Sequence, residues 1–350
     1  MGNADVHVVT GANGRTGLAL CAELKARGCF VRAFIRKSAE RYRPFLAPYV
    51  DEFAYGDVRE AATLDAAFSG ARYVYHLAGI VSIDSRMTRE LFSVNVDGTR
   101  NVIAMCVKNR IERLVYTGTV HTLHFSNNET LLREIPCRES PRFVPERVRG
   151  PYAYTKALAS NLVLDAVAAS GLNAVIAMPS GITGAYELKL SNFGRMIADV
   201  AEGRLPVFLK GRYDFVNVRD VVKALADLAG TGAAGESFVL CGHKATVKEI
   251  VGWAARAAGR RPPALCLPRA LARAFSYPAE FCTRLLGRTQ VFTPYSIQVL
   301  GDNCNFSHEK ISALTGYAPG SVEEAVSEQV AFYQHEYKAR FLKKAHKEHS

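Results

Sequence analysis

Short apolar runs alternate with amphipathic stretches along the first half of the chain. β-Branched and apolar residues fill Val6–Thr10 and further runs at 31–35, 52–55, 73–77, 114–117 and 174–178. Between these runs, apolar residues recur at helical spacing in 18–24, 61–68, 89–108 and 154–169. Strands that alternate with helices predict a parallel sheet, because each parallel connection crosses over one face of the sheet. The pattern therefore predicts an α/β fold with a doubly wound parallel sheet of the Rossmann type.

The alternation changes after position 179. Residues 180–212 are rich in glycine and show little regular pattern, whereas 215–218 and 236–240 again resemble strands and 220–228 a helix. Thr246 with Glu249, and Ser321 with Glu324, have the spacing of a capping box at a helix start. We expect a sheet domain at 1–179, to which 213–242 returns, and a smaller, mostly helical lobe formed by 180–212 and 243–350.

Composition and charge narrow the class of protein. The chain has 350 residues, of which 49% are hydrophobic and 22% charged, so it is an ordinary globular chain and not a disordered one. A net charge of +11 suits an anionic partner, but no nucleic-acid recognition motif accompanies it. The eight cysteines are scattered, and no apolar run reaches the ~18 residues of a membrane span. We expect a cytoplasmic protein with reduced thiols, no metal site and no nucleic-acid partner.

Residues 10–17 read TGANGRTG and form the first chemical motif. A glycine triplet alone also fits a simple tight turn. Its position between the first strand and an amphipathic helix instead predicts a dinucleotide site, because glycine lets backbone N–H groups approach a pyrophosphate at the positive end of a helix. The expected cofactor contacts in this turn are Gly11, Asn13, Gly14, Arg15, Thr16 and Gly17.

The ends of the next three predicted strands supply further candidate cofactor contacts. Arg36 stands where an NAD site normally has an acidic residue, and its guanidinium matches a 2′-phosphate, so NADP(H) is favoured over NAD(H). A solvated basic edge is the alternative for Arg36. Asp57 fits either the adenine amino group or the start of a helix. His76 is interpreted as a hydrogen-bonding core residue and not a catalyst. The other contacts are expected from Val58, Leu77, Ala78 and Gly79.

Tyr152 and Lys156 form the third motif. Their i, i+4 spacing places both side chains on one face of a helix. A free phenol ionises near pH 10, so lowering its pKa by roughly 3 units would take about 4 kcal/mol of differential stabilisation. The ammonium of Lys156, together with a positively charged cofactor ring, can supply that stabilisation, and Lys156 can also hold the nicotinamide ribose. The pair follows a predicted strand that leads into Thr119, which indicates a proton-transfer site.

Together these motifs resemble the extended short-chain dehydrogenase/reductase family, of the NAD-dependent epimerase/dehydratase type. The resemblance covers nearly the whole chain and includes NVDGT at 95–99, PSGI at 179–182 and NVRDVV at 217–222. It implies that Tyr152 is the general acid/base, that Lys156 tunes its pKa, and that Thr119 orients the substrate carbonyl. The family usually has a second hydroxyl where Gly118 stands. The resemblance adds Pro179, Ser180 and Ile182 to the cofactor contacts, and it implies a homodimer.

Two departures indicate a branch of this family. Val120 and His121 follow Thr119 where sugar dehydratases carry an acidic pair, and 178–184 read MPSGITG instead of the epimerase pattern. The chain is more similar to the dihydroflavonol reductase and 3β-hydroxysteroid dehydrogenase branch. This resemblance implies hydride transfer between NADP(H) and a bulky apolar ketone, aldehyde or secondary alcohol. The alternatives are a nucleotide-sugar epimerase that holds NAD tightly and a non-catalytic dinucleotide-binding protein.

Three features have two interpretations each. Asn95 either takes part in a relay or only fixes the backbone. His121 either contacts the substrate or has a structural role, which we favour. The basic, partly apolar stretch at 256–288 is either an amphipathic membrane-surface helix or part of the lobe over the substrate cleft with solvated arginines, and we favour the lobe.

Overall fold

Seven parallel strands form the central sheet of the computed structural model, which describes residues 5–123, 136–268 and 305–342. The strands among the described residues are β1 Val6–Thr10, β2 Phe30–Ile35, β3 Glu52–Tyr55, β4 Tyr73–His76, β5 Arg113–Thr117, β6 Ala174–Pro179, β7 Gly181–Thr183, β8 Val207–Leu209, β9 Arg212–Asn217, β10 Ser237–Leu240, β11 His243–Thr246 and β12 Leu265–Leu267. The order across the sheet is β10-β6-β5-β4-β1-β2-β3. The predicted doubly wound parallel sheet is confirmed. Strand order reverses beside β1, which is where ligands bind in such sheets.

Helices cover both faces of this sheet. The α-helices are α1 Arg15–Ala26, α2 Arg43–Leu46, α3 Ala61–Phe68, α4 Arg89–Phe92, α5 Gly98–Lys108, α6 Gly150–Ser170, α7 Asn192–Ala201, α8 Val218–Asp227, α9 Val247–Ala257, α10 Glu309–Thr315 and α11 Val322–Phe332. Short 3₁₀ helices lie at Lys37–Tyr42, Ala47–Tyr49, Val120–Thr122 and Pro145–Arg147, and π-helical segments at Ser93–Asp97 and Tyr333–Leu342. Thr246 forms the predicted capping box with Glu249 at the start of α9, and the Ser321 hydroxyl accepts from the Glu324 amide at the start of α11.

Successive residues of the inner strands face opposite cores, which is why these strands are largely apolar. Along β5, Val115 packs with α1 and α8, whereas Leu114 and Tyr116 pack with α3, α5 and α6. Every residue of β6 is buried. Sealing both faces in this way leaves the carboxyl ends of the strands as the open edge for a ligand.

Two predicted helices are present with local differences. The helical stretch predicted at 89–108 is confirmed, but it contains a π-helical turn at Ser93–Asp97 between α4 and α5, in which Asn95 contacts neighbouring backbone. The helix expected at 154–169 begins at Gly150, with Pro151 in its first turn, and ends at Gly171 with φ of +67°. The first turn of a helix tolerates proline because its N–H groups have no acceptor within the helix. Glycine suits the residue after the helix because it readily adopts the left-handed conformation found there.

Residues 180–212 are more regular than expected. They contain β7, α7 and β8, and α7 buries Ile197 and Val200 in a cluster with α9 and α11. Contacts with distant helices, and not a strong local pattern, order this segment. The strand predicted at 215–218 corresponds to the end of β9, because Val218 already begins α8. β9 pairs with β7 and β11 in a separate three-stranded sheet, whereas β10 joins the central sheet. The division of the chain into two lobes stays a prediction.

Part of the basic stretch predicted at 256–288 lies outside the described residues, from 269 onward. The end of α9 and strand β12 are its described parts. Among the helices that the structure describes, none combines the length and apolar character needed to cross a bilayer.

Candidate active site

The glycine turn joins β1 to α1 and brings bare backbone to the open edge of the sheet. Gly11 has a φ of +70°, and a Cβ there would lie 2.8 Å from the Ala78 nitrogen. A Cβ on Gly17 would overlap the Gly11 carbonyl oxygen and lie 2.7 Å from the Ala12 Cα. The Gly14 N–H donates to the Gly11 carbonyl at 2.9 Å and closes the turn. Gly11 and Gly17 therefore let the backbone of the turn pack directly against residues 77–78 and against the start of α1.

The first turn of α1 fits an anion. Its N-cap, Gly14, provides no side-chain acceptor, and the first turn contains no acidic residue. The first N–H groups of a helix have no acceptor within the helix, and the helix dipole adds partial positive charge there. Asn13 and Thr16 lie half-buried in the same turn. The residues present therefore fit the pyrophosphate of a nicotinamide dinucleotide.

Residues 77–79 lie directly against this turn. The Leu77 N–H donates to the Thr10 carbonyl and the Ala78 N–H to the Thr10 hydroxyl, each at 3.3 Å. A Cβ on Gly79 would lie 3.3 Å from Asn95 Oδ1. The structure thus brings the predicted contacts of β1 and β4 together at the point where strand order reverses.

Asn95 holds backbone in place. Its Oδ1 accepts from the Ile80 N–H at 2.8 Å, and its Nδ2 donates to the Ile80 carbonyl at 3.0 Å and to Thr155 Oγ1 at 3.1 Å. Thr155 in turn donates to the Tyr152 carbonyl at 2.8 Å. These contacts support the backbone-fixing interpretation of Asn95, and they link it to the helix that carries Tyr152.

Arg36 and Asp57 lie near each other beyond β2 and β3. Arg36 is exposed, and its charge is one of the influences that lower the pKa of Asp57. The largest is Arg59, whose side chain donates to the Asp57 carboxylate at 2.7 and 2.9 Å. Asp57 also accepts from the Arg59 N–H and does not cap α3, whose N-cap is Glu60. Val58 is buried behind this turn.

The predicted catalytic residues meet at the end of β5. Tyr152 lies in the first turn of α6, and Thr119, which caps the 3₁₀ turn after β5, is near enough to lower its pKa. Lys156 lies one helical turn further, with its Nζ 2.5 Å from the Thr117 carbonyl oxygen and 4.4 Å from the centre of the Tyr116 ring. Two hydroxyls and one ammonium therefore face the same edge as the glycine turn.

The pKa values of Tyr152 and Lys156 both depart from their ordinary values. Burial raises the pKa of Tyr152 to about 12, although the Thr119 hydrogen bond opposes the rise. Burial also lowers the pKa of Lys156 to about 7. In the chain by itself, loss of hydration dominates and the Lys156 Nζ is directed at the Thr117 carbonyl. The lowering of the Tyr152 pKa that we expect from Lys156 together with a positively charged cofactor ring stays a prediction. A protonated phenol at neutral pH is a proton donor.

His121 packs beside this group. Its ring stacks on Tyr213 with centroids 5.7 Å apart, and its Nε2 lies 3.2 Å from the Tyr213 hydroxyl. The Tyr152 ring lies edge-on to it, with the two ring centroids 6.3 Å apart. Burial lowers the pKa of His121 to about 4, so the ring is neutral near pH 7. His121 thus carries a neutral aromatic surface from the catalytic tyrosine to β9.

His76 is fully buried in a hydrogen-bonded network. Its Nδ1 lies 2.8 Å from the Thr10 hydroxyl and its Nε2 lies 3.0 Å from the Thr99 hydroxyl, which donates to the Asn95 carbonyl. Burial, assisted by the charge of Lys156, lowers its pKa to about 3. These contacts agree with the interpretation of His76 as a core residue.

Because His76 is neutral when folded, the protein is expected to lose stability as the pH falls below 6.5. The unfolded chain binds a proton at this histidine near pH 6.5, whereas the folded chain does so only near pH 3. Between these values this residue lowers the free energy of unfolding by up to about 1.4 kcal/mol per pH unit. Urea denaturation between pH 4.5 and 7 should show a shallower dependence in His76→Asn, which cannot titrate. Equal slopes in both proteins would contradict this role.

The predicted nicotinamide-side residues follow β6. Pro179 is its last residue, and the Ser180 N–H donates to the Leu240 carbonyl at 3.2 Å. The Ile182 carbonyl accepts from Arg15 Nη1, so the segment after β6 contacts the glycine turn. The structure thereby brings Ile182 and Arg15 together, while Arg36 and Asp57 form a separate group beside β2.

Three residues that sequence reasoning missed contact the predicted ones. Tyr213 stacks on His121, Glu187 pairs with Arg15, and Gln329 donates to Glu187 at 2.9 Å. The alternation of residues along β9 indicates that Tyr213 and Phe215 lie on the same buried face. It does not indicate which residues of other segments contact that face. No local pattern marks Glu187 or Gln329, because they lie 142 positions apart in the chain.

The geometry agrees with comparisons to known proteins. The model of the NAD dependent epimerase/dehydratase family matches residues 7–241. Sterol demethylase protein B of Methylococcus capsulatus is 31% identical over 330 residues, which are 93% of this chain and 98% of that protein. The 3β-hydroxysteroid-dehydrogenase/decarboxylase isoform 1 of Arabidopsis thaliana is 27% identical over 305 residues, which are 81% of this chain and 67% of that protein.

A solved structure extends the agreement to the fold. The crystal structure of gox2253 superposes with a TM-score of 0.78 at 28% identity, covering 95% of this chain and 99% of that one. The relatives include dihydroflavonol-reductase-like as well as 3β-hydroxysteroid-dehydrogenase-like proteins, as the sequence predicts. The chain therefore belongs to the NAD dependent epimerase/dehydratase family, the extended short-chain dehydrogenases/reductases, and is an NAD(P)-dependent oxidoreductase.

Proposed function

We propose that this protein transfers hydride between NADP(H) and a bulky apolar ketone, aldehyde or secondary alcohol. The observation that carries the proposal is the convergence of Thr119, which caps the turn after β5, with Tyr152 and Lys156 of α6, where the Thr119 hydroxyl is near enough to influence the pKa of Tyr152. We expect both hydroxyls to reach a single carbonyl oxygen. These residues follow β5 and the glycine turn follows β1, so both groups belong to the carboxyl edge of the parallel sheet, and the first turn of α1 there has N–H groups that suit the cofactor pyrophosphate.

Each residue of the group has a distinct part in carbonyl reduction. The nicotinamide, when bound, supplies the hydride. Tyr152, which burial keeps protonated at neutral pH, donates a proton to the carbonyl oxygen. The Thr119 hydroxyl stabilises the negative charge that develops on that oxygen. Lys156 would bind the nicotinamide ribose, and its neighbouring charge favours phenolate when the reaction runs toward oxidation of an alcohol.

The preference for NADP(H) rests on Arg36. It is exposed at the end of β2, where the ribose of the adenosine half would lie, and no acidic residue replaces it there. A guanidinium offers several N–H donors that match the oxygens of a phosphate. The neighbouring Asp57 carboxylate is already neutralised by Arg59, which leaves the charge of Arg36 available to the phosphate.

Arg36→Ala is therefore expected to weaken NADPH binding by roughly 10- to 100-fold, because a hydrogen bond to a charged group is worth about 1.5–3 kcal/mol. NADH binding should change less than about threefold, since NADH lacks the 2′-phosphate. Titration calorimetry with both cofactors measures the two dissociation constants. The exposed neighbour Lys37→Ala serves as the matched control. An equal loss of affinity for NADPH and NADH in Arg36→Ala would show that Arg36 does not bind the 2′-phosphate.

A cluster of aromatic rings packs beside the catalytic group and makes this side of the site apolar, which supports a bulky apolar substrate. From His121 the cluster continues through Tyr213 to Phe215, both of which are buried, with their ring centroids 6.0 Å apart, and on to Phe193 at 5.1 Å from Phe215. Phe306 meets the Tyr213 ring at 6.4 Å. Because His121 is neutral, none of these five rings carries a full charge. The names of two relatives point to sterol and steroid substrates of those proteins, which favours a fused-ring alcohol or ketone here.

A panel of carbonyl compounds tests this function through the loss of NADPH absorbance. Bulky cyclic ketones such as 3-ketosteroids should be reduced faster than small ketones, and the matching alcohols should be oxidised with NADP⁺. Two results would overturn the proposal. The first is NAD that co-purifies with the protein and interconverts nucleotide sugars without net cofactor consumption, as in an epimerase. The second is tight cofactor binding without turnover of any substrate in either direction, as in a non-catalytic dinucleotide-binding protein.

A further inference from the structure

A buried ion pair connects the glycine turn to the segment that follows β6. Arg15 is the first residue of α1; its Nη1 donates to the Ile182 carbonyl and its Nη2 pairs with the Glu187 carboxylate. The two side chains are only 11% and 6% exposed. A charge that is removed from water requires a partner, so each of these side chains depends on the other.

Glu187 is also held by other parts of the chain. Its Oε1 accepts from the Ser191 N–H at 2.9 Å, and its Oε2 accepts from Gln329 Nε2 at 2.9 Å. Gln329, which is buried in α11, accepts from the Thr183 hydroxyl at 2.8 Å. This Arg15 network, formed by Arg15, Thr183, Glu187 and Gln329, joins the glycine turn, the end of β7, the start of α7 and the C-terminal helix α11.

The backbone is shaped to admit the Glu187 carboxylate. Gly184 has a φ of +115° and Tyr186 a φ of +69°. Residues other than glycine rarely adopt the left-handed backbone conformation of Tyr186. A Cβ on Gly194 would lie 2.7 Å from Glu187 Oε1. Backbone of this kind persists only where surrounding contacts hold it, and it is concentrated at functional sites.

The contacts of Arg15 go to the segment that follows β6. Pro179, Ser180 and Ile182, the predicted nicotinamide contacts, belong to the end of β6 and to this segment, and Ile182 itself accepts from Arg15. Arg36 follows β2 and is exposed. Arg15 is thus held by the segment of the predicted nicotinamide contacts, although the glycine turn itself suggested that it faces the cofactor phosphates.

We propose that Arg15 and Glu187 are positioning residues that hold segment 180–187 against the glycine turn. They would thereby fix the nicotinamide side of the site relative to the pyrophosphate side. This inference rests on the proposed NADP(H)-dependent function. Because both cofactors share the nicotinamide and the pyrophosphate, the ion pair supports NADPH and NADH equally and does not discriminate between them.

Hydrogen exchange of the cofactor-free protein tests the structural part of this proposal. In Arg15→Met and Glu187→Gln, amide exchange across 180–191 should be at least about tenfold faster than in the wild type. Lys189→Met, which removes an exposed positive charge from the same segment, is the matched control and should exchange like the wild type. Wild-type exchange in both Arg15→Met and Glu187→Gln would overturn the proposal. Should Arg15→Met fail to fold, Arg15→Lys, which cannot span both acceptors, takes its place with the same criterion.

Cofactor titrations test the functional part. Both Arg15→Met and Glu187→Gln should raise the dissociation constants of NADPH and NADH by similar factors, about tenfold each. Tighter cofactor binding in Glu187→Gln would show that Glu187 restrains an arginine that binds phosphate directly. A loss of affinity confined to NADPH in Arg15→Met would show that Arg15 binds the 2′-phosphate. Either result overturns the proposal. If the wild type binds neither cofactor, the proposed function fails, while hydrogen exchange still decides whether the ion pair holds the segment.

Discussion

Replacing Tyr152 by phenylalanine is expected to slow carbonyl reduction by roughly 10²- to 10⁴-fold, the usual contribution of a general acid. The change removes one oxygen atom, the phenolic oxygen of Tyr152. Without that proton donor, hydride addition leaves an alkoxide with no acid beside it. Thr119 can stabilise this charge but does not neutralise it. Single-turnover loss of NADPH absorbance with a ketone from the panel measures the effect.

Tyr154→Phe is the matched control for Tyr152→Phe. Tyr154 lies in the same helix, two residues further on and half-buried, so its side chain points to another side of α6. Both variants should bind NADPH as the wild type does. A wild-type rate of reduction in Tyr152→Phe, with cofactor bound, would show that another group donates the proton.

Gly17→Ala is expected to abolish cofactor binding, with a loss of at least roughly 100-fold, or about 2.8 kcal/mol. The added Cβ overlaps the Gly11 carbonyl oxygen and lies 2.7 Å from the Ala12 Cα, and both of these are backbone atoms that cannot rotate away. The turn must therefore move, and with it the N–H groups that approach the pyrophosphate. Overpacking of this kind also lowers stability, by about 1–3 kcal/mol. Thermal denaturation with and without NADPH measures both effects.

Gly252→Ala separates this steric effect from the general cost of replacing a helical glycine. Gly252 lies inside α9, and a Cβ there would meet no atom within 4 Å. Alanine is favoured over glycine inside helices by roughly 1 kcal/mol, so this variant should be as stable as the wild type or slightly more stable. If Gly17→Ala retained the wild-type melting temperature and its shift with NADPH, the close backbone approach at Gly17 would be required neither for stability nor for cofactor binding.

Local patterns in the sequence predicted most of the framework. The first strand, the glycine turn and the helix after it span only 21 residues, Val6 to Ala26, and the structure places them as expected. The capping box of Thr246 and Glu249 likewise depends on residues three positions apart. Such short-range patterns can be recognised in the sequence because the backbone geometry of a helix or strand alone decides which residues a few positions apart are in contact.

The expectations that differed from the structure involve distant partners. Residues 180–212 lack a strong local pattern, yet α7 forms because Ile197 and Val200 pack against α9 and α11. The stretch 89–108 is helical as predicted, but the π-helical turn in its middle, where Asn95 contacts Ile80 and Thr155, has no sign in the local pattern. Helical periodicity does not report such contacts.

The sequence by itself determined the doubly wound fold, the glycine turn and the spacing of Tyr152 and Lys156, because each depends on residue types a few positions apart. Tertiary structure alone decided that Arg15 is paired with Glu187 and that Tyr213 stacks on His121. It also decided the pKa values of Tyr152 and Lys156, which burial moves in the directions that oppose ionisation. Burial is a property of the assembled chain, since the atoms that exclude water from these groups come from segments far apart in the sequence.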